Sequence, residues 1–423
     1  MKDSFLDIKK MAPCYIYEED VIRSACKDLK SVFKDFKLIY SVKANPFSQI
    51  LNIVREEGFG ADVVSPAEIN KSLMAGMKTD CIYYSAPGKS EDDIKKALGK
   101  SLIIADSINE LSLLDKAAGD MGEILEIGIR VNPNFAMGKG NPAPSKFGID
   151  LCYITELKET IGECLNLEVV GIHVHLKSQV LAEDTIGKYY MDVFEMALDL
   201  QMELGIHIKF INFGSGIGIP YDAQNDNEID LDKVKRFADM ISARNQKTLK
   251  AELIAETGRF IVCRAGKYYT NIVDIKESKG KKYLIVQNGL NGFMRPSIAD
   301  LVKTLAGNEA EFSMEPLFTK VNEFEVRMIN INDENSDCEN LSLTKVNLEK
   351  ESDFEEVDVV GNLCTTMDVI KSEVMLKKGR IGDLIEITNA GSYGYSLSPV
   401  NFSGQDKPGK YLLTTDGVYV RDE

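Results

Sequence analysis

A lysine at the end of an apolar run is the first residue of the chain that could do covalent chemistry. The run Leu38–Tyr40 leads to Lys43, and Asn45 and Pro46 close the segment. This pattern predicts a short buried strand that stops just after Lys43. Because burial disfavours the charged form of a lysine, this amine could serve as a nucleophile. The alternative is a lysine whose amine extends from the strand end into solvent.

Three later apolar runs also end in residues that could bind a ligand. In chain order these residues are His175, Lys177 and Ser178, then Gly214, Ser215 and Gly216, then Glu256, Gly258 and Arg259. The glycines expose backbone N–H groups that suit a phosphate, and Arg259 could add donors to the same group. A protonated ring nitrogen could be the partner that Glu256 needs in its apolar surroundings. The imidazole of His175 could stack on a flat ring.

Each of these residues also has an ordinary interpretation. The glycine segment could be a simple turn, Arg259 part of a surface ion pair, and Glu256 half of a buried salt bridge. His175 could be a core residue. An amine, a phosphate cradle, a carboxylate and a ring platform together describe one cofactor, pyridoxal 5′-phosphate (PLP). Their joint placement at strand ends favours PLP, although each residue alone is weak support.

The elements that must position these residues follow from the alternation of the sequence. From Lys37 to Glu256 eight short apolar runs alternate with stretches of helical period, which predicts a (β/α)8 TIM barrel with its site at the carboxyl ends of the strands. A doubly wound open sheet is the alternative. After Arg259 strands follow one another with few helices, which predicts an all-β second domain completed by a strand near Tyr15.

The predicted domain boundaries follow from this change, from alternating strands and helices to successive strands. We expect a PLP-binding barrel over residues 30–265 and a β domain over residues 1–29 and 266–423. Residues 332–356 are acidic and polar, so we expect an exposed insertion there, mobile or poorly ordered.

Composition restricts the partners and the compartment. The chain has 423 residues, 44% of them hydrophobic, and a net charge of −16. This charge disfavours nucleic acid and anionic membranes as partners, and we find no apolar run long enough to span a bilayer. Eight cysteines without a C-x-x-C pair and three histidines without metal-ligand spacing predict a reduced, cytoplasmic protein with no metal site.

Eight ordered segments resemble those of the PLP decarboxylases of the alanine-racemase fold, which include diaminopimelate, ornithine, arginine and carboxynorspermidine decarboxylases. The resemblance covers nearly the whole chain. Tyr40–Asn45 is similar to the pattern Y-x-x-K-A-N, Gly60–Ser65 to G-x-D-x-x-S, Arg130–Pro133 to R-V-N-P, Lys146–Gly148 to K-F-G, His175–Gln179 to H-x-G-S-Q, Glu256–Arg259 to E-P-G-R, Gly361–Asp368 to G-P-x-C-x-x-x-D and Gly391–Gly394 to G-A-Y-G.

The resemblance implies a role for each matching residue. Lys43 would hold PLP covalently, His175 would stack on its ring, and Glu256 would keep the pyridine nitrogen protonated. Asp62 would also bind the cofactor. Cys364 would come from the partner subunit of a homodimer and return a proton to Cα. The residues implied to surround the phosphate are Ser178, Gly214, Ser215, Gly216, Gly258, Arg259 and Tyr393.

Departures from the family pattern bear on the substrate. The segment Phe293–Pro296 resembles the M-R-P segment of diaminopimelate decarboxylases, whose arginine binds a distal carboxylate, so Arg295 indicates a second carboxylate on the substrate. A structural ion pair is the alternative for Arg295. Thr365 stands where those enzymes have a glutamate that reads the distal amine. Lys177 replaces a glycine of the pattern, and with Asp368 it completes the predicted substrate contacts.

We therefore expect a specialised decarboxylase of a modified amino acid that carries a second carboxylate, as in siderophore or antibiotic biosynthesis. Diaminopimelate decarboxylase of lysine biosynthesis is the close alternative. An amino-acid racemase of the same fold would need a tyrosine base and usually an arginine at the ring nitrogen, where this chain has Glu256. A non-catalytic homologue would lack Lys43, Glu256 or Cys364, and all three are present.

Overall fold

Two compact units divide the chain. The first comprises Ile22–Pro220 and Asp226–Ile261, and the second comprises Met1–Val21, Tyr221–Asn225 and Val262–Glu423. The computed structural model describes residues 2–214, 216–221, 226–308, 312–331 and 353–422. In these ranges no helix is long and apolar enough to cross a membrane.

Helices and strands alternate over the first part of the described chain, and strands dominate the rest. The helices are α1 (Lys2–Met11), α2 (Glu19–Val32), α3 (Ser48–Glu56), α4 (Pro66–Met74), α5 (Glu91–Ala97), α6 (Ile108–Met121), α7 (Ile154–Glu163), α8 (Glu183–Leu204), α9 (Leu231–Asn245), α10 (Arg259–Val262) and α11 (Met294–Ala306). The strands are β1 (Cys14–Glu18), β2 (Phe36–Ser41), β3 (Gly60–Val63), β4 (Ile82–Tyr84), β5 (Leu102–Ala105), β6 (Leu125–Asn132), β7 (Ile149–Asp150), β8 (Leu167–His173), β9 (Phe210–Asn212), β10 (Glu252–Thr257), β11 (Gly266–Ser278), β12 (Lys281–Val286), β13 (Val326–Ile329), β14 (Phe354–Gly361), β15 (Val369–Lys377), β16 (Leu384–Ile387), β17 (Gly409–Leu413) and β18 (Tyr419–Arg421).

A closed barrel of parallel strands forms the first unit. Its eight strands follow the order β2, β3, β4, β5, β6, β8, β9 and β10, and β10 pairs with β2 to close the ring. The predicted TIM barrel is therefore confirmed, and the open-sheet alternative is excluded. The carboxyl ends of these strands share one face of the barrel, which is where the sequence places the candidate site residues.

A phenylalanine fills the barrel interior because two glycines leave room for its ring. A Cβ atom on Gly171 would lie 2.0 Å from the ring of Phe210, and one on Gly128 would lie 2.8 Å from it. Other residues here would push β6 and β8 away from β9. The cluster that surrounds this ring takes one buried residue from each of five further strands: Ile39, Tyr83, Ile104, Val170 and Ile254.

Serine caps begin three barrel helices shortly after their strands. Ser65, Ser90 and Ser107 have extended backbones, and each hydroxyl accepts a hydrogen bond from the N–H three residues later, over 3.2, 3.1 and 3.2 Å. Such caps satisfy N–H groups that have no partner within the helix. Each cap is the last residue of its connection, which has two residues from β3 to α4 and from β5 to α6, and six from β4 to α5.

A nine-stranded sheet forms most of the second unit. Its main path is β15, β14, β12, β11, β1, β17 and β18, with β16 pairing to β11 and β13 to β16. The predicted β domain is confirmed, including the contribution of the strand near Tyr15. The unit also contains α1 and α11, which the sequence analysis did not predict. Pro296 lies in the first turn of α11, where proline is tolerated.

The predicted acidic insertion lies mostly outside the described residues, which resume at Asp353 after a gap over 332–352. Its last residues are not an insertion, because β14 begins at Phe354 and pairs with β12 and β15. The prediction was wrong at this end. The acidic residues Glu355 and Glu356 belong to a strand whose buried part starts only at Val357.

Candidate active site

Lys43 lies just beyond the end of β2. The strand stops at Ser41, and Val42–Ala44 forms a short 3-10 turn, so the predicted strand end was two residues too late. Lys43 Nζ lies 3.1 Å from Oδ2 of Asp62 on the adjacent strand β3, and Oδ1 of Asp62 accepts a hydrogen bond of 2.6 Å from Ser85 Oγ. The Lys43 side chain is 39% exposed, whereas that of Asp62 is 1% exposed. The argument from a buried amine therefore does not apply, and Asp62 is the partner of the Lys43 charge.

Glu256 is a buried carboxylate surrounded by nitrogen atoms. Its Oε2 accepts a hydrogen bond of 3.2 Å from Asn212 Nδ2 and lies 3.4 Å from His173 Nε2. Its Oε1 lies 3.4 Å from Nδ1 of His175. Burial by itself raises the pKa of Glu256, but the two imidazoles and the Lys43 ammonium outweigh it and hold the pKa well below the usual glutamate value. Glu256 is therefore an anion at the strand ends.

His175 is a neutral imidazole beside this carboxylate. Burial lowers the pKa of His175 to about 3, against the opposite effect of Glu256. Its Nε2 lies 3.2 Å from Ser178 Oγ. A proton on Nδ1 directed at Glu256 and a hydroxyl proton directed at Nε2 satisfy both ring nitrogens. The ring is held at two edges while 26% of the side chain stays exposed.

The sequence analysis did not identify two of the residues around Glu256, namely His173 and Asn212. His173 and His175 are two residues apart, which is the spacing that places side chains on one side of an extended segment, so the pair was a usable signal. Asn212 is the residue opposite His173 in the pairing of β8 with β9. Its position at the end of an apolar run was visible, but the pairing that brings it to Glu256 was not.

Gly214 and Gly216 have backbone conformations that other residues rarely adopt. Their φ angles are +60° and +74°. A Cβ atom on Gly214 would lie 2.5 Å from His175 Nδ1, and one on Gly216 would lie 2.6 Å from Met137 Cε. The space beside both Cα atoms is filled by protein atoms, so close packing requires glycine at these two points. We call Gly214 and Gly216 the cradle, since their backbone N–H groups are among those predicted to bind the phosphate. Ser215, the third residue predicted here, lies outside the described residues.

The remaining predicted residues of the barrel follow the strand ends. Gly258 comes after β10, and a Cβ atom on it would lie 2.7 Å from Cβ of Ala44, so glycine permits a close approach to the turn that contains Lys43. Arg259 begins α10 and is 7% exposed. Lys177 is exposed in the segment after β8.

Arg295 is enclosed within the second unit. Its Nη2 lies 2.7 Å from Oε2 of Glu323, and both side chains are 0% exposed. Its Nε donates to the carbonyl of Leu317 and its Nη1 to that of Ser392, each over 3.3 Å. This geometry is the structural ion pair that was the alternative interpretation of Arg295, and a substrate contact for Arg295 stays a prediction.

The hydrogen bonds of the Asp368 carboxylate also lie within the second unit. Its carboxylate accepts hydrogen bonds of 2.6 and 2.8 Å from the N–H groups of Leu290 and Leu363, and burial raises the pKa of Asp368 despite these bonds. These contacts are structural, and they do not test its predicted substrate contact.

The other predicted residues of the second unit lie in turns. Cys364 and Thr365 lie between β14 and β15, where Cys364 is exposed. Tyr393 is partly buried and has a φ of +56°. Their predicted roles stay predictions.

The groups at the strand ends of the barrel fit PLP. Lys43 could provide an amine for the aldehyde carbon, the anionic Glu256 would suit a protonated pyridine nitrogen, and the backbone N–H groups of Gly214 and Gly216 would suit the phosphate. Among the described side chains no group of His, Cys, Asp and Glu is arranged to bind a metal ion. Fold and site together define the class, a TIM-barrel enzyme that uses PLP.

Comparison with known proteins agrees with this class. Residues 19–263 match the family described as "pyridoxal-dependent decarboxylase, pyridoxal binding domain". The chain therefore belongs to the pyridoxal-dependent decarboxylases, and PLP is its cofactor.

Several relatives cover most of the chain. Diaminopimelate decarboxylase of Helicobacter pylori (strain J99) is 30% identical, over 91% of this chain and 86% of the relative. The L-glutamyl-[BtrI acyl-carrier protein] decarboxylase of Niallia circulans is 26% identical, over 96% of this chain and 90% of the relative. The crystal structure of Helicobacter pylori diaminopimelate decarboxylase complexed with L-lysine has a TM-score of 0.78 at 26% identity, covering 97% of this chain and 94% of that one.

Proposed function

We propose that Lys43 is the residue that holds PLP covalently and that Glu256 keeps the pyridine nitrogen protonated. The observation that carries this proposal is the anionic, buried Glu256, which shares the mouth of one barrel with the Lys43–Asp62 pair. When bound, the cofactor supplies an electron sink for the pair released as the α-carboxylate leaves as CO2. Asp62 orients the Lys43 amine, and His175 packs its neutral ring against the cofactor.

The phosphate would be held by groups from three strand ends of the barrel. The proposed contacts in the barrel are Ser178, the backbone N–H groups of Gly214, Ser215 and Gly216, and the segment of Gly258 and Arg259. The resemblance adds Tyr393 to this set. The positive φ angles of Gly214 and Gly216, where no side chain stands, support the assignment of these two residues. Cys364 would return the proton to Cα from the second subunit of a cytoplasmic homodimer, and its exposure is compatible with that role.

The reaction is decarboxylation of an amino acid, of the type catalysed by diaminopimelate decarboxylases. We propose that the substrate carries a second carboxyl group in a form that does not need Arg295 as a free cation, such as an ester, amide or carrier-bound thioester. The buried Arg295–Glu323 pair supports this choice, because it already neutralises the guanidinium. The absence of a glutamate at Thr365 and the relative that acts on a carrier-bound glutamyl group point the same way.

CO2 release from the PLP-loaded enzyme tests this function. The panel would hold meso-diaminopimelate, lysine, ornithine, arginine, carboxynorspermidine, free glutamate and glutamate bound as a thioester to an acyl-carrier protein, with Lys43→Ala as the control. We expect release from the thioester and little from the free amino acids. A visible absorption that does not depend on Lys43 would overturn the proposed role of this lysine.

Diaminopimelate decarboxylase itself is the second candidate, because several similar relatives carry that name. It requires that Arg295 contacts the substrate, which Glu323 opposes. In this case the wild-type enzyme would release CO2 from meso-diaminopimelate in preference to the thioester. Glu323→Gln would then raise the activity toward meso-diaminopimelate further, whereas a specialised enzyme would gain nothing from this change.

A further inference from the structure

The side chain of Gln179 binds the backbone of Ile219, the residue that follows the glycine segment Gly214–Gly218. Its Nε2 donates a hydrogen bond of 2.5 Å to the carbonyl of Ile219, and its Oε1 accepts one of 3.2 Å from the N–H of the same residue. Ile219 is 2% exposed, so both bonds lie away from solvent. A carboxamide that binds the N–H and C=O of one residue imitates the edge of a neighbouring strand.

Backbone hydrogen bonds continue this pairing toward the cradle. The N–H of Val180 donates to the carbonyl of Gly216 over 2.8 Å, and the N–H of Gly218 donates to the carbonyl of Val180 over 3.0 Å. Val180 and Ile217 form a parallel bridge. The segment from Gly216 to Ile219 is thus held by a ladder to which the Gln179 side chain adds the final two bonds.

Gln179 occupies this place despite an unfavourable backbone. Its φ is +61°, a conformation that a residue with a side chain rarely adopts. The segment also packs closely on it, because a Cβ atom on Gly218 would lie 2.9 Å from the carbonyl carbon of Gln179 and 3.1 Å from its Cδ. Such strain persists where the surrounding structure holds it, and it marks positions with a functional constraint.

We propose that Gln179 is a positioning residue that fixes the backbone from Gly216 to Ile219, and with it the N–H of Gly216, in the position that receives the phosphate of PLP. The inference rests on the proposed phosphate role of Gly214 and Gly216. Backbone N–H groups bind a phosphate well only when they converge on one point, and a glycine-rich segment would otherwise sample many conformations. Gln179 also follows Ser178, so one short segment carries a proposed phosphate contact and the anchor of the others.

Cofactor binding with and without the phosphate tests this role. The full-length enzyme is freed of cofactor and titrated with PLP or with pyridoxal, which lacks the phosphate, while the Lys43-dependent visible absorption is followed. We expect Gln179→Met to weaken PLP binding on the order of tenfold, as the loss of two hydrogen bonds implies, and to change pyridoxal binding less than about twofold. Gln179→Ala serves as the second variant if the methionine variant does not fold.

Gln201 offers a matched control in the same unit. Its Oε1 accepts a hydrogen bond of 3.0 Å from the N–H of Ile208, which precedes β9, whereas the glycine segment follows the other end of that strand. We expect Gln201→Met to lower the melting temperature without changing the ratio of PLP to pyridoxal affinity. Equal losses of PLP and pyridoxal affinity in Gln179→Met, or no loss, would overturn the role of Gln179. A wild-type enzyme that binds the two compounds equally well would instead refute the phosphate cradle itself.

Discussion

Lys43 and Lys89 both follow strands of the same barrel, and both meet a carboxylate, but their surroundings differ. Lys43 Nζ lies 3.1 Å from Asp62, and its side chain is 39% exposed. Lys89 Nζ lies 2.8 Å from Glu110, and its side chain is 0% exposed. Lys89 also donates to the carbonyls of Ala86 and Ile104 over 2.6 and 2.7 Å.

Three acceptors use all three donors of the Lys89 ammonium. Burial lowers the pKa of Lys89 despite the opposing effect of Glu110. By the rule that a buried amine is a reactive amine, Lys89 would be the nucleophile. The comparison teaches that exposure matters more than burial. The contacts of Lys89 make it a structural residue, whereas the 39% exposure of Lys43 is what its proposed attachment to PLP requires.

The largest effect is expected from the loss of Lys43, the lysine proposed to react. Lys43→Ala should abolish the visible absorption of bound PLP and lower CO2 release by about three or more orders of magnitude, because the covalent attachment is lost. Absorption spectra and CO2 release measure both quantities. Lys89→Met, compared per folded molecule, should keep both, and a Lys89 variant that behaves like Lys43→Ala would break the comparison.

Replacement of Lys89 should lower the stability of the protein. Lys89→Met leaves the buried carboxylate of Glu110 without its cation, so the free energy of unfolding should fall by about 3–5 kcal/mol in urea denaturation. Adding Glu110→Gln removes the unpaired charge and should recover part of this loss. Unchanged stability in the single variant would show that Lys89 is not paired as the structure has it.

The pH dependence of stability tests whether His175, in the proposed active site, is held as a neutral ring. The pKa of His175 is lowered to about 3, below its value in the unfolded chain. Below about pH 6.5 the unfolded chain therefore binds more protons than the folded one, and the free energy of unfolding decreases as the pH decreases. In the cofactor-free chain His175→Phe should reduce this slope by up to about 1.4 kcal/mol per pH unit between pH 6 and 5. Urea denaturation at several pH values measures it.

His207 provides the control for this measurement, because it is an exposed histidine of the same unit. His207→Asn, measured in the same way, gives the change in slope that the loss of an exposed histidine causes. If His175→Phe changes the slope no more than this, then His175 is not held as a neutral ring in the folded protein.

The smallest expected effect concerns the support of Asp62. Ser85→Ala removes the 2.6 Å hydrogen bond to Oδ1 of Asp62. We expect a loss of about 1–2 kcal/mol in unfolding free energy and a less than tenfold fall in activity, since Asp62 keeps Lys43 as its partner. Ser72→Ala, which removes a 2.9 Å hydrogen bond to the carbonyl of Glu68 on α4, should lower stability alone.

The sequence by itself determined the barrel and the elements that carry its site. Apolar runs and helical stretches alternate in local order, so their periods could be read without knowing any contact. The same periods predict that the segments around Lys43, His175 and Glu256 lie at strand ends. Helices α1 and α11 were not predicted. The start of β14 was assigned to the insertion because Glu355 and Glu356 continue the polar composition of the residues before them, so no local change in polarity marks where the strand begins.

Only the tertiary structure decided which of these residues interact. Glu256 is an anion because Asn212, His173 and His175 surround it, and these partners come from strands that are distant in the sequence. The pairing of Arg295 with Glu323 was equally hidden, since nothing local links a helix start to a loop. Charge, burial and hydrogen bonds depend on atoms brought together by strand order, and a pattern along one segment contains no information about that order.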